Sequence, residues 1–125
     1  MEASEIFIGM LHYLPEKVNE FSINSVKLHR CFYELKRIYP SNFKEFRFDT
    51  RDYWPYSETL DCLIDGFIIA GTLWYQGIAS DRYVFSHKHM SAAYDKIEPS
   101  LSHGRVSELK TMSQIFAQMM AVGKQ

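Results

Sequence analysis

A chain of 125 residues falls within the size range of one domain and can bury a core without disulfides or metals. Hydrophobic residues make up 46% of it and charged residues 23%, which excludes a disordered chain. The net charge of −1 lacks the basic balance of many proteins that bind nucleic acid or anionic membranes. No apolar run reaches the roughly 20 residues that cross a bilayer, and no basic start of a signal peptide is visible. A soluble, cytoplasmic protein without a membrane partner is expected.

Apolar residues at helical spacing predict two helices in the first part of the chain. The first covers residues 4–14. Gly9 within it indicates close contact with a neighbouring element, because glycine lowers helix stability by about 1 kcal/mol relative to alanine. The second helix begins at a capping residue between positions 22 and 25. It ends at residue 38 or 39, because Pro40 disfavours a helical residue before it.

Residues 46–51 begin with alternating apolar and polar side chains, which predicts a short, half-buried strand followed by a turn at residues 52–55. Ser57 can cap a third helix, and Gly71 can end it in a left-handed conformation. An alternative interpretation ends this helix at Asp65 and Gly66 and begins a strand at Phe67.

Two strand-like runs, residues 73–76 and 82–85, are separated by a loop of hairpin length. A helix capped by Ser86 and a last helix after residues 102–104 follow. Three helices followed directly by a hairpin is the winged-helix order, in which the hairpin is the wing. We expect an α+β, winged-helix-like domain with a small antiparallel sheet, which the strand at residues 46–51 joins, and two added C-terminal helices. The domain covers residues 1–125, with a core at about 4–86 and a helical extension at about 87–122.

Three parts of the chain carry a family resemblance: residues 27–35, the segments 55–61 and 71–73, and residues 82–86, Arg-Tyr-Val-Phe-Ser. They resemble the second helix, the surroundings of the third helix and the second wing strand of small bacterial winged-helix domains. The chain is distantly similar to the Panacea antitoxin type over residues 26–86. The resemblance implies a non-catalytic module that contacts DNA or protein, sometimes within a regulatory or toxin–antitoxin pair.

The composition of the third helix bears on the choice between DNA and protein. In winged helices that read DNA, this helix offers Arg, Lys, Asn or Gln to base edges in the major groove. Residues 57–70 contain none of these types and carry three carboxylates, Glu58, Asp61 and Asp65. Three negative charges would repel a polyanion, so the sequence predicts that these acids contact a protein partner.

Basic residues cluster in and after the second helix. They are Lys27, Arg30, Lys36, Arg37, Lys44, Arg47 and Arg51. One interpretation is a solvated helix face, in which Glu34 pairs with its neighbours at three- and four-residue spacing. The alternative is a patch for an acidic partner or for nucleic acid.

The methionines of the last helix admit two interpretations. Met112 and Met119 lie at helical spacing with Leu109 and Phe116, so they fill the core or form an adaptable interface. A C-terminal helix can pack across a dimer axis, and a homodimer through this helix is therefore a hypothesis.

Other reactive residues form no recognisable site. Cys31 and Cys62 lie in apolar helical patterns, which indicates two buried, reduced thiols, with a disulfide between them as the minor alternative. His87 and His89 lack the neighbours that would complete a zinc site. No nucleophile elbow, phosphate loop or zinc-protease motif occurs. We expect no metal, no cofactor and no catalytic residues.

The sequence thus predicts a non-catalytic, winged-helix-like interaction domain that binds a protein rather than DNA. The alternative is a DNA-binding transcriptional regulator that uses the basic second helix. The two differ in their response to salt, because contacts to phosphates weaken steeply as the salt concentration rises.

Overall fold

The computed structural model describes residues 1–15, 17–22, 25–50 and 53–122. These residues form five α-helices and one antiparallel sheet of three strands, which confirms the α+β class. In chain order the elements are α1 (Ala3–His12), β1 (Glu20–Ser22), α2 (Ser25–Ile38), α3 (Glu58–Ile69), β2 (Leu73–Gln76), β3 (Arg82–Phe85), α4 (His87–Ile97) and α5 (His103–Val122), with a 3₁₀ turn at Glu98–Ser100. Among the described residues, no helix has both the length and the apolar character needed to cross a bilayer.

The third helix begins and ends at the residues that the sequence marks. The Oγ of Ser57 accepts a hydrogen bond from the backbone N–H of Leu60 at 3.3 Å, which is the capping contact expected there. The helix continues to Ile69, so the interpretation that ends it at Asp65 and Gly66 is wrong. Gly71 follows with a φ of 77°, a left-handed conformation that glycine adopts without strain.

The strands lie in the order β1-β3-β2, and both pairs are antiparallel. Their registers place Phe21 opposite Tyr83 and Tyr83 opposite Tyr75. The rings of Phe21 and Tyr83 are 5.5 Å apart, and those of Tyr83 and Tyr75 are 5.1 Å apart. Arg82 of β3 pairs with Glu20 of β1 at 3.1 Å. A row of aromatic rings and an ion pair therefore join the hairpin to β1.

The prediction of a strand at residues 46–51 is wrong, and the third strand of the sheet is β1 instead. Phe43 and Phe46 are both fully buried. The backbone N–H of Phe46 donates to the carbonyl of Phe43 at 3.0 Å, so the chain turns here instead of extending. The stretch then makes an isolated bridge between Asp49 and Tyr56. Arg51 and the start of the predicted turn lie outside the described residues.

The two C-terminal helices share the core of the domain. Tyr94 of α4 and Leu109 and Phe116 of α5 are buried in one cluster with Phe7 of α1 and Phe32 of α2. The rings of Phe32 and Phe116 are 5.9 Å apart and meet edge to face. The boundary near residue 86 therefore does not divide the hydrophobic core.

Helices α1 and α5 approach each other closely at Gly9, as the sequence predicts. A Cβ at Gly9 would lie 2.7 and 2.8 Å from the two Cδ atoms of the buried Leu109. Gly66 of α3 is the opposite case, because within the described parts of the chain no atom lies within 4 Å of the place its Cβ would take. The first glycine is needed for packing inside the chain, and the second is not.

We expect Gly9→Ala to destabilise the protein by about 1–3 kcal/mol, because the added methyl overpacks the core against Leu109. Gly66→Ala should instead stabilise it by about 0.5–1 kcal/mol, because it removes the glycine penalty of a helix without a clash. Urea unfolding followed by circular dichroism measures both changes. A Gly9→Ala variant as stable as the wild type would contradict the close packing of α1 on α5.

Candidate functional site

A hydrogen-bonded cluster fastens the start of α3 to α2. Its centre is His29 of α2, which is 1% exposed. Its Nδ1 accepts a hydrogen bond from the backbone N–H of Ser57 at 2.9 Å, and its Nε2 lies 3.0 Å from Oδ1 of Asp61. Ser57 caps α3 and Asp61 lies in its first turn. One imidazole therefore holds both the cap and the first turn of the third helix.

These two contacts fix the tautomer of His29. A backbone N–H can only donate, so Nδ1 is the ring nitrogen without a proton. Nε2 then carries the proton and donates it to the carboxylate of Asp61. A second proton on Nδ1 would point at the N–H of Ser57, so the arrangement holds only with one proton on the ring.

Aromatic rings surround the imidazole. The ring of Tyr56 stacks on His29 at 5.0 Å with an angle of 13° between the planes, and Trp54 meets His29 edge-on at 5.3 Å. The hydroxyl of Tyr56 also donates a hydrogen bond to Asp61. This hydrogen bond, together with burial, raises the pKa of Tyr56 to about 12, because loss of the phenol proton would set two negative charges side by side. The carboxylate of Asp61 thus accepts from two side chains.

The cluster contains the residue types of a catalytic triad without its geometry. In a triad, the serine hydroxyl gives its proton to the histidine. Here the Oγ of Ser57 accepts from the backbone of Leu60, and His29 bonds the backbone N–H of Ser57 instead. Ser57 is fully buried, so its hydroxyl has no access to a substrate. The arrangement serves to fasten α3 to α2.

Replacement of His29 by leucine should lower the free energy of unfolding by about 2–3 kcal/mol, because the buried N–H of Ser57 loses its acceptor and Asp61 loses a donor. The matched control is His103→Leu at an exposed position of α5. It should change the stability by less than about 0.5 kcal/mol. Chemical denaturation measures both, and equal effects of the two replacements would contradict the fastening role of His29.

The raised pKa of Tyr56 makes part of the stability depend on pH. Its contribution is fully present below the ordinary tyrosine pKa of 10.0 and is lost as the pH rises through about 12. Asp61→Asn removes the negative charge beside the phenol, so we expect the pKa of Tyr56 to fall towards 10.0. An NMR titration of the tyrosine ring carbons measures this shift, with Asp65→Asn as the control. A Tyr56 pKa that stays at its wild-type value in Asp61→Asn would show that Asp61 is not the cause.

The three acids predicted to contact a partner have different surroundings. Glu58 and Asp65 are exposed on α3. The side chain of Asp61 is 44% exposed, but its carboxylate is held by His29 and Tyr56. A replacement of Asp61 would therefore disturb the fold together with the surface. Glu58 and Asp65 remain as acids whose charge faces outward.

Large apolar side chains are also exposed on α3 and on the hairpin. Ile69 is 87% exposed at the end of α3, and Trp74 and Tyr75 of β2 are exposed by 41% and 45%. Ile78, in the hairpin loop, is fully exposed. We call these side chains, together with the exposed acids and Cys62 of α3, the α3–hairpin surface: Glu58, Cys62, Asp65, Ile69, Trp74, Tyr75 and Ile78.

The two cysteines differ in burial, and both are free thiols. Cys31 is buried in the core as predicted, and burial raises its pKa to about 11. Cys62 is exposed, so its predicted burial is wrong. It lies outside the buried face of α3, which presents Leu60 and Ile64 to the core.

Two of the basic candidates hold parts of the fold together. The Nζ of Lys27 donates to the carbonyl of Met120 at 2.9 Å, and the Nζ of Lys36 donates to the carbonyl of Phe46 at 2.8 Å. The first contact joins α2 to α5, and the second joins α2 to the turn that follows it. Each ammonium group donates a hydrogen bond to a backbone oxygen, so both lysines contribute to the packing of the fold.

The other basic candidates are exposed or lie outside the described residues. Arg37 lies 3.4 Å from Glu34, the surface pair that the helical spacing predicts. Such exposed pairs contribute at most about 1 kcal/mol. Arg30, Lys44 and Arg47 are exposed, and Arg51 lies outside the described residues.

Two open clefts bring some of these residues together. One cleft of about 420 Å³ has Lys36 and Arg37 in its lining, beside the aromatic rings of Tyr33 and Phe48. Another of about 600 Å³ has Arg47 and Glu58 in its lining, so charges of both signs meet there. The charged side chains of the first cleft are cations of α2, whereas the second cleft combines a cation with an acid of α3.

The methionine candidates of α5 are mostly core residues. Met112 is fully buried, so its side chain fills the core and cannot reach a partner. Met119 is half-buried against the same core. The exposed side chains of α5 between residues 103 and 118 are polar: His103, Arg105, Ser107, Lys110, Thr111, Gln114 and Gln118. The homodimer through this helix stays a prediction, and no apolar stripe among these side chains supports it.

His29 and the hairpin aromatics are the residues that the sequence patterns did not single out. The signal for His29 was its place between Leu28 and Phe32, inside the apolar stripe of α2. Trp74 and Tyr75 carry no such signal, because exposed and buried strand aromatics look alike in a four-residue run.

Within the parts of the chain that the structure describes, no three His, Cys, Asp or Glu side chains are grouped to hold a metal ion. Comparison of the chain with protein-family models, curated proteins and solved structures finds no match.

Proposed function

We propose that this chain is a non-catalytic interaction domain of the winged-helix type that binds a protein partner through the α3–hairpin surface. Ile69 carries the proposal, because a large apolar side chain that is 87% exposed follows two outward-facing carboxylates on the same helix. Desolvated apolar anchors near charged residues are typical of protein interfaces. The family resemblance adds a regulatory setting, such as a bacterial toxin–antitoxin-like pair.

The order of the elements supports the winged-helix assignment. A helix and a strand precede two further helices and a hairpin, and β1 pairs with the second hairpin strand. In this arrangement α2 and α3 correspond to the helix-turn-helix pair and residues 73–85 to the wing. The third helix is the one that such domains present to a partner.

The charges on α3 favour a protein over DNA as that partner. Helices that read DNA offer cations and amides to the phosphates and the base edges. The outward residues Glu58 and Asp65 would instead repel phosphates, and residues 57–70 include no Lys, Arg, Asn or Gln. The exposed cations Arg30, Lys44 and Arg47 lie in and after α2, where DNA would have to bind in a non-standard pose.

A photo-crosslinking amino acid at position 69 tests this proposal, with position 114 of α5 as the matched control. Protein adducts should form at position 69, survive nuclease treatment and be absent at position 114. Ile69→Ser should weaken capture of the same partner about tenfold or more, because an exposed anchor of this kind contributes strongly to binding. Its stability should stay within about 0.5 kcal/mol of the wild type.

Binding of duplex DNA would contradict the proposal if it had a steep salt dependence that Arg30→Ala flattens. Fluorescence anisotropy at low and moderate salt measures this dependence. Nucleic-acid adducts at position 69 would argue in the same direction and make the chain a DNA-binding regulator.

A further inference from the structure

A shallow apolar groove runs along α3. It has a volume of about 230 Å³ and is lined by Cys62, Leu63, Gly66, Phe67 and Ala70. These positions recur at the spacing of one helical face, so the groove follows the helix axis. Because no atom of the described residues lies within 4 Å of the Cβ position of Gly66, the middle of the groove is open to close approach. Its volume is below the ~300 Å³ at which small-molecule pockets begin, and it suits the inserted side chains of another protein.

Exposed carboxylates lie on the helix that forms the groove. They are Glu58, which also shares a cleft with Arg47, and Asp65, whereas the carboxylate of Asp61 is held by His29. Residues 58–69 include no Lys or Arg. A partner that covers the apolar groove brings its flanking side chains into this negative potential, where charge complementarity favours cations.

A second copy of this chain does not fit the groove well. The exposed cations Arg105 and Lys110 of α5 have no exposed apolar stripe beside them among the described residues. The exposed cations Arg30, Lys44 and Arg47 lie in and after α2, so acidic and basic surfaces of two copies would meet head to tail. Such a contact continues into open assemblies unless a rotation closes it. An added strand on β2 also fits poorly, because that strand is four residues long and does not include the groove.

We infer that the groove binds an amphipathic helix of a partner protein that carries Lys or Arg beside its apolar stripe. The apolar side chains, spaced at three and four residues, lie over Gly66, and the cations lie beside Glu58 and Asp65. This inference rests on the proposed function and names the chemistry of its partner. Gly66 lets the two helix backbones approach, and Ile69 extends the apolar contact beyond the groove.

A display library of helical peptides tests the inference, because the selection itself reveals which side chains the groove prefers. The peptides have about 20 residues, long enough to form a helix in water, with apolar residues varied along one stripe and all charges allowed beside it. Clones selected on the wild-type protein should be enriched in Lys and Arg over Asp and Glu at the flanking positions. Their affinity should fall about tenfold or more on Gly66→Leu, which fills the groove.

Charge reversal provides the second arm of the test. Selection on the double variant Glu58→Lys, Asp65→Lys should enrich acidic flanks. Selection on Asp95→Lys, an exposed acid of α4, should still enrich basic flanks. Urea unfolding of each variant shows whether it remains folded, and Gly66→Leu is expected to fold because its side chain meets no neighbour at the Cβ.

Cys62 reports whether a selected peptide occupies the groove. It is exposed in the lining, whereas Cys31 is buried and its pKa is raised to about 11, so alkylation under mild conditions modifies Cys62 first. A bound peptide should lower the alkylation rate of Cys62 roughly in proportion to the fraction of the protein that carries peptide.

Three results would overturn the inference: no selected clone, enrichment of acidic flanks on the wild type, or clones that are indifferent to Gly66→Leu and leave Cys62 reactive. Clones that Trp74→Ser disrupts while Gly66→Leu does not would move the contact to the hairpin and leave the proposed function intact. The proposed function itself fails if position 69 gives no protein adduct in the crosslinking experiment, or if the chain binds duplex DNA with a steep salt dependence that Arg30→Ala flattens.

Discussion

The position of α3 depends on one imidazole. The first N–H groups of a helix have no partners within the helix, and burial makes an unpaired N–H costly. Here the cap residue Ser57 is itself buried, and its own N–H has His29 as acceptor. The same ring holds Asp61 in the first turn, where the negative charge is favoured by the helix dipole. One side chain in one tautomer thus bonds the cap residue, holds the carboxylate in the first turn of the helix and joins α2 to α3.

That arrangement separates two kinds of residue on the third helix. Leu60, Ile64 and Asp61 are committed to the core or to the fastening cluster. Glu58 and Ile69 make no comparable contact and point outward, so their identities are not required by the packing of the helix. Because α3 is fixed from its buried side, its outer face can carry apolar and acidic groups without loss of the fold.

Local signals predicted the five helices and the two hairpin strands, whereas long-range pairing decided the third strand of the sheet. A capping serine and a left-handed glycine mark the ends of α3, and both are readable from neighbouring residues. β1 is only three residues long and has one buried side chain, Phe21, so no period can show in it. Its existence depends on Tyr83, which is distant in the sequence. The stretch from Phe46 misled in the other direction. The short alternation of residues 46–48 indicated a strand, but Phe46 is the end of a buried turn that begins at Phe43.

The candidate site was predictable in its charges and not in its packing. The absence of cations from α3 is a property of the sequence alone, and it favours a protein partner before any coordinates are considered. Burial differs between residues of the same type that no sequence pattern distinguishes. The carboxylate of Asp61 is bound by His29, whereas Asp65 faces solvent. Met112 is fully buried, whereas Met119 is half-buried. These distinctions depend on which helix packs above each side chain.

Gly66 is a position of α3 whose glycine favours contact with a partner. Glycine within a helix costs about 1 kcal/mol relative to alanine, and Gly9 offsets that cost by allowing α1 to pack on Leu109. Gly66 has no such neighbour in the part of the chain that the structure describes, and its φ lies outside the left-handed region that would require glycine. Its cost is therefore not offset by any contact of the described residues. A second helix laid over α3 would give this position the close contact that α5 gives to Gly9.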